Sequence, residues 1–162
     1  MNERIYVAMT CFCASKEYPS CTGAPSHISL IQNIDHKVAS WRPFSESTNI
    51  REFALHIAHW ENSLNNRLTN SKKSLGLSQR KCSWIKRTNP IDADIWKSEI
   101  ELIKRVRANT AETLKLFNPK KLDECAPKTK QTYAVYIHGI AMHSIYHTNR
   151  IKFIKELYMQ NG

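Results

Sequence analysis

Three histidines in this chain have the spacing expected of a metal site. The segment His143-Ser-Ile-Tyr-His147 places two imidazoles four residues apart in a C-terminal helical pattern, and His56 lies in another helical pattern far upstream. A helix advances about 100° per residue, so side chains at i and i+4 lie on one face, about one turn apart. Two imidazoles at this spacing can bind one metal ion, and a third ligand from a neighbouring helix leaves coordination positions open for chemistry.

Helical periodicity selects these three from the seven histidines of the chain. His143 and His147 fall within the apolar stripe of the last helical segment, whereas His138 lies well away from it. His56 lies at the edge of the apolar stripe of its own segment, and His59 points nearly the opposite way. A buried imidazole needs either a hydrogen-bond partner or a metal. Spacing alone therefore leaves two interpretations open, hydrogen-bonded core histidines and ligands of a shared metal.

Four amphipathic segments predict the helices that would position these side chains. They cover about 26–40, 49–71, 90–117 and 129–158. Asn49 precedes Glu52 in the pattern of a capping box, and Pro90 follows Asn89 in the pattern of a helix start. The basic segment 72–88 is too long for a tight turn, so it predicts an ordered crossing loop held by Trp84. Four such helices in a short chain predict an all-α fold, an antiparallel four-helix bundle.

Length and composition agree with one helical domain. The chain has 162 residues and only four glycines, which favours long helices over a many-turned β fold. We expect a single domain over 1–162, with 1–20 as an N-terminal extension of uncertain order. Ile137, Ala141 and Ile145 give the last helix a second apolar face. Such a helix is either central in its bundle or covered by a partner, so a homodimer is one expectation.

The apolar runs and the cysteines indicate the location and the redox state to expect. No segment approaches the ~18 apolar residues of a membrane-spanning helix, and the apolar run Ile5 to Met9 is shorter than the roughly 7–15 residues of a secretory core. We therefore expect a cytoplasmic protein without a membrane partner. The five cysteines are odd in number and lack a repeated CxxC frame, so reduced thiols are expected. The pair Cys11 and Cys13 offers a weaker alternative metal site.

The net charge of +10 raises the question of a polyanionic partner. The basic residues occur in pairs scattered along the chain, with no continuous basic stripe and no nucleic-acid-binding motif. Solvated helix faces explain this distribution better, so a nucleic-acid-binding protein is the least favoured alternative.

Two segments resemble the DinB-like (YfiT-like) family. The segment 50–61 (IREFALHIAHWE) resembles the family's "sirelv-HiaaWe" segment, and 138–151 (HGIAMHSIYHTNRI) resembles its "hGi-qHd-YHaGQI" segment. Weaker matches at 23–26 and 41–43 extend the resemblance over roughly 18–158. The resemblance implies a four-helix bundle, often dimeric, with a divalent metal held by three histidines. Those ligands match His56, His143 and His147, the same three that the periodicity selects.

The resemblance also has local departures beside the ligands. Asn149-Arg150 stands where the family has Gly-Gln, and Ser144 stands where it has aspartate. Arg150 lies on the ligand stripe, where it either places a positive charge near a substrate carboxylate or thiolate or extends to solvent. These differences leave the substrate open while the ligands themselves are intact.

Three neutral imidazoles suit a divalent transition metal, with zinc or nickel favoured. The relatives implied by the resemblance include metal-dependent transferases and isomerases that use low-molecular-weight thiols. We therefore predict a metal-dependent enzyme, a thiol S-transferase or a hydrolase acting on a small molecule. The alternative is a metal-binding stress-response protein without turnover. Glu61 and Tyr146 are weak candidates for acid–base help, with surface charge and packing as the simpler interpretations, so the catalytic residues stay unassigned.

Overall fold

The computed structural model describes residues 2–13, 26–72, 77, 84 and 91–161. Within this part of the chain the fold is all-α, as predicted, and no strand is present. No helix among these residues is long and apolar enough to cross a membrane. The helices are α1 (Glu3–Cys13), α2 (His27–Ile31), α3 (His36–Ser40), α4 (Ile50–Leu68), α5 (Ala93–Leu116) and α6 (Tyr133–Asn161), with a 3-10 turn at Pro119–Lys121.

The predicted start of α4 is confirmed by its capping contacts. The Glu52 amide donates to Asn49 Oδ1 at 2.9 Å, and the Asn49 amide donates to Glu52 Oε2 at 3.2 Å. These reciprocal bonds satisfy two amides that a helix start otherwise leaves without a partner. The helix ends at Leu68, three residues before the predicted end. The capping box therefore fixes where the helix that carries His56 begins.

The first predicted helix is wrong as a single element, because it divides into α2 and α3. Asp35 has an extended backbone, and its carboxylate accepts the Lys37 amide at 2.7 Å. A side chain that caps a new helix competes with continuation of the old one, which explains the break. The intervening Ile34 is buried, and its carbonyl accepts the Trp96 indole N–H at 2.8 Å. The break thus directs this segment into the core.

The predicted start of the third helix is also wrong. The helix begins at Ala93, because Asp92 caps it by accepting the Ile95 amide at 2.7 Å. Asn89 and Pro90, which carried the prediction, lie outside the described residues. The predicted stop is confirmed, since α5 ends at Leu116 and Phe117 has an extended backbone.

The directions of the long helices differ from a simple antiparallel arrangement. Arg51 pairs with Glu99 at 2.6 Å, and Asn65 donates to Thr110 at 3.0 Å, so α4 and α5 run parallel. Parallel neighbours need a long connection rather than a tight turn, and residues 69–92 separate the two helices in the sequence. The crossing loop predicted at 72–88 lies mostly outside the described residues, and the predicted antiparallel relation of α4 and α5 is wrong.

Helix α6 runs antiparallel to α4, and its two ends pack against different short helices. Its buried side chains contribute to both core clusters, one with α2 and the other with α1. Ile5 and Ala8 of α1 are buried against Ile137 and Ala141, the second apolar face of α6. Within the described chain, α1 therefore covers the face that prompted the homodimer expectation, and Ile5 and Ala8 near the N-terminus belong to the core.

Candidate metal centre

His56, His143 and His147 converge at the interface of α4 and α6. The Nε2 atom of His143 lies 3.0 Å from His56 Nε2 and 3.1 Å from His147 Nε2. All three possible ligand atoms lie within 4.8 Å of one another, so the three side chains could hold one metal ion. No other group of three or more histidine, cysteine, aspartate or glutamate side chains is this close in the described part of the chain.

Hydrogen bonding alone cannot satisfy this arrangement. A neutral ring nitrogen carries either one hydrogen or one lone pair, so it completes a hydrogen bond with one neighbour. His143 Nε2 has two neighbouring ring nitrogens at hydrogen-bond distance. At least one contact therefore brings together two nitrogens with no bond between them. A shared cation removes this conflict, because each lone pair then points at the metal.

The spacing agrees with a first-row metal after a small adjustment. Two nitrogens that each lie ~2.1 Å from one ion at a tetrahedral angle are ~3.4 Å apart, and at a right angle ~3.0 Å apart. The two contacts of His143 fall at the lower end of this interval. Three ligands from two helices leave the remaining coordination positions to water or substrate. The donor set therefore fits a divalent metal with open positions.

The surroundings keep the imidazoles neutral. Burial lowers the pKa of His143 below its ordinary value. The pKa of His147 is lowered to about 4, first by burial and then by repulsion from His143, His56 and Arg150. At pH 7 both rings are therefore unprotonated, and an unprotonated imidazole is the form that binds a metal.

Aromatic packing orients the rings. The Nδ1 atoms of His143 and His147 are buried and have no hydrogen-bond partner among the described residues. Metal-bound histidines usually donate this N–H to an acceptor. Here Phe53 lies 5.2 Å from the His147 ring and Trp60 lies 5.7 Å from the His143 ring, measured between centroids. Ring contacts therefore take over much of the orienting role.

Trp84 covers His56, the third candidate ligand, whereas the sequence analysis predicted for it only the general role of holding a loop. Its ring stacks on His56 with centroids 3.9 Å apart and planes 7° from parallel, and it meets the His147 ring in a T-shaped contact with centroids 5.7 Å apart. The neighbours of Trp84 on either side lie outside the described residues. The prediction that 72–88 is an ordered loop is therefore not tested. Trp84 itself brings an apolar surface over the histidines from the crossing segment.

Glu61 is buried behind the ligands. It is completely buried and pairs with Arg107 on α5, which contradicts the simpler interpretation of a surface charge. The Ser144 hydroxyl, next to His143, donates to Glu61 Oε1 at 3.4 Å. Burial raises the pKa of Glu61, while Arg107 and Ser144 act in the opposite direction. Glu61, Arg107 and Ser144 thus connect the three long helices α4, α5 and α6 next to the histidines.

Tyr146 lies on the outer side of the cluster. Its ring lies 5.0 Å from His147 between centroids, and its hydroxyl accepts the Arg150 Nη2 donor at 3.1 Å. Both side chains are exposed. Tyr146 is thus an exposed phenol bonded to a guanidinium beside His147, which differs from the packing role given by the simpler interpretation.

The other predicted candidates do not join the cluster. His59 and His138 are half-buried and absent from it, as the periodicity indicated. The side chains of Cys11 and Cys13 lie outside the described residues. The pairing of Glu61 with Arg107 was missed; a glutamate on the apolar side of its helix was the one signal that could have indicated it. Comparison with protein-family models, curated proteins and solved structures gave no match.

Proposed function

We propose that this protein is a metal-dependent enzyme of the DinB-like type, with one divalent metal on His56, His143 and His147. The observation that carries the proposal is the convergence of three Nε2 atoms that hydrogen bonds cannot satisfy together. Two further features support it: the rings of His143 and His147 are neutral at pH 7, and the ligands come from two helices packed against each other.

The arrangement of helices supports the four-helix part of the proposal. Helices α4, α5 and α6 form three sides of the bundle. On the fourth side, α1 packs against α5 and α6 at one end, and α2 packs against the same two helices at the other end. A histidine site between facing helices is a common position for metals in helical bundles.

The reaction class follows from the donor set. A metal held by three neutral imidazoles supplies a Lewis acid that activates water for hydrolysis or a small thiol for transfer. The chain's own residues bind and shield: His56, His143 and His147 hold the ion, and Trp84 limits the approach of water from one side. We therefore propose a thiol S-transferase or hydrolase with a small-molecule substrate. Zinc and nickel are the favoured metals.

Elemental analysis of tag-free protein tests the metal site. We expect about one zinc or nickel per chain in the wild type and loss of that metal in His56→Ala, His143→Ala and His147→Ala. His59→Ala and His138→Ala are matched controls and should retain it. Circular dichroism identifies any variant that fails to fold. A wild type that binds neither metal, or ligand variants that keep the metal, would contradict the proposal.

Turnover assays then separate an enzyme from a metal-binding protein. Metal-loaded wild type is tested for thiol transfer to an electrophilic acceptor and for hydrolysis of small esters and amides, against free metal at the same concentration. Activity that disappears in folded His143→Ala supports the enzyme. Stoichiometric metal with no turnover in either class favours the non-catalytic alternative.

A further inference from the structure

A pocket of about 250 Å³ lies beside the histidine cluster. It is formed by the C-terminal half of α6, the start of α4 and the turn at 43–48. Aromatic and aliphatic side chains make up most of its lining, among them Phe44, Phe53, Phe153, Ile154 and Leu157. Phe44 and Phe153 are also exposed to solvent, 77% and 53% respectively. Two exposed phenylalanines at one pocket indicate a surface suited to an apolar ligand.

The pocket adjoins the proposed metal. The Phe53 ring lines the pocket and also lies 5.2 Å from the His147 ring between centroids. Arg150, another lining residue, follows His147 by three positions and His143 by seven, which places all three on one face of α6. A ligand in the pocket therefore has its nearer end beside the metal ligands.

The lining of this pocket contains one charged side chain. Arg150 is the single charged residue among the lining side chains, and no acidic residue is present. Its guanidinium donates to the Tyr146 hydroxyl at 3.1 Å, and no carboxylate pairs with it in the described part of the chain. Guanidinium has five donors, so four N–H groups remain after this bond. Their geometry matches a carboxylate.

We propose that this pocket binds a small organic monoanion that carries an apolar chain. Arg150 binds the anionic group, and the apolar chain lies against Phe44, Phe53 and Phe153. The anionic end then lies between Arg150 and the three histidines. The part of the inference that makes this molecule a substrate rests on the proposed function, whereas binding in the pocket does not. The volume lies just below the ~300–1,000 Å³ typical of drug-sized ligands, which fits a short chain.

Titration with hexanoate tests the pocket. Amide chemical shifts are followed in zinc-loaded and metal-free protein with hexanoate, 1-hexanol and hexylamine as probes of equal chain length. We expect hexanoate to shift amides around Arg150, Phe153 and Phe44, and to bind more tightly than hexylamine. Arg150→Gln should weaken hexanoate binding by about tenfold, the effect of losing a hydrogen bond to a charged group at an exposed site. It should leave binding of 1-hexanol unchanged.

Two variants serve as comparison. Lys152→Gln removes a neighbouring exposed cation outside the pocket and should leave hexanoate binding unchanged. Phe153→Ser should weaken hexanoate and 1-hexanol alike. Equal binding of hexanoate and hexylamine, or unchanged hexanoate binding in Arg150→Gln, would overturn the inference.

Metal content measured on the same samples keeps the two proposals apart. Hexanoate binding that depends on Arg150 in a protein that takes up no metal supports the pocket and refutes the proposed function. If the protein binds stoichiometric metal but hexanoate binding does not depend on Arg150, only the inference about the pocket is refuted.

Discussion

Removal of Arg107 should destabilise the fold strongly, because it leaves a buried charge without its partner. Glu61 is completely buried and Arg107 is 8% exposed, and the two are paired between α4 and α5. Breaking such a pair from one side costs about 3–5 kcal/mol, since the remaining charge stays desolvated. For a chain of 162 residues, each kcal/mol lowers Tm by roughly 2–4 °C. Arg107→Met should therefore lower Tm by about 10 °C.

The double variant Glu61→Leu with Arg107→Met separates the pair energy from packing. Because both charges are then absent, we expect it to be more stable than Arg107→Met alone. Unfolding in urea at pH 7 measures all the variants on metal-free protein. The destabilisation caused by Arg107→Met should also become smaller at low pH. Burial raises the pKa of Glu61 in the folded state, so folding favours the protonated acid. Stability is therefore lost as the pH rises. A cost below about 1 kcal/mol for Arg107→Met, or additive costs in the double variant, would refute the reasoning.

Three further outcomes are expected. His27 is completely buried, neither of its ring nitrogens has a hydrogen-bond partner in the described part of the chain, and burial followed by repulsion from Arg107 lowers its pKa. The contribution of neutral His27 to stability is complete above pH ~6.5 and falls below that pH by up to about 1.4 kcal/mol per pH unit. His27→Leu should therefore flatten the dependence of the unfolding free energy in urea on pH between pH 7 and 5. An unchanged slope contradicts this. Trp84→Ala removes the ring stacked on His56 and should weaken zinc binding about tenfold in a competition titration, and an unchanged Kd would show that the ring is not needed. Asn49→Ala removes the capping box of α4 and should cost about 1 kcal/mol in urea unfolding, with no effect on zinc stoichiometry.

Local signals predicted which three histidines come together. The i, i+4 spacing of His143 and His147 and the wheel position of His56 selected the three histidines that converge, and excluded His59 and His138. These signals depend only on helix geometry, which is the same wherever a helix packs. The capping box of Asn49 gave the start of α4 for the same reason.

One local signal was misread, and the signals that depend on tertiary contacts were absent. Ser26 and Asp35 each cap a short helix, so one apolar period of fifteen residues became two helices. The parallel direction of α4 and α5 follows from contacts such as Arg51 with Glu99, which no local pattern encodes. The N-terminal residues gave no sign that they would cover α6.

The helical class, the main helices and the three candidate ligands could therefore be predicted from local patterns, since periodicity and capping act within a few residues. Three contacts became visible only in the folded chain: Trp84 stacks on His56, Glu61 pairs with Arg107, and α1 covers the second apolar face of α6. Each of these contacts joins elements distant in sequence, and its energy exists only after the helices have packed.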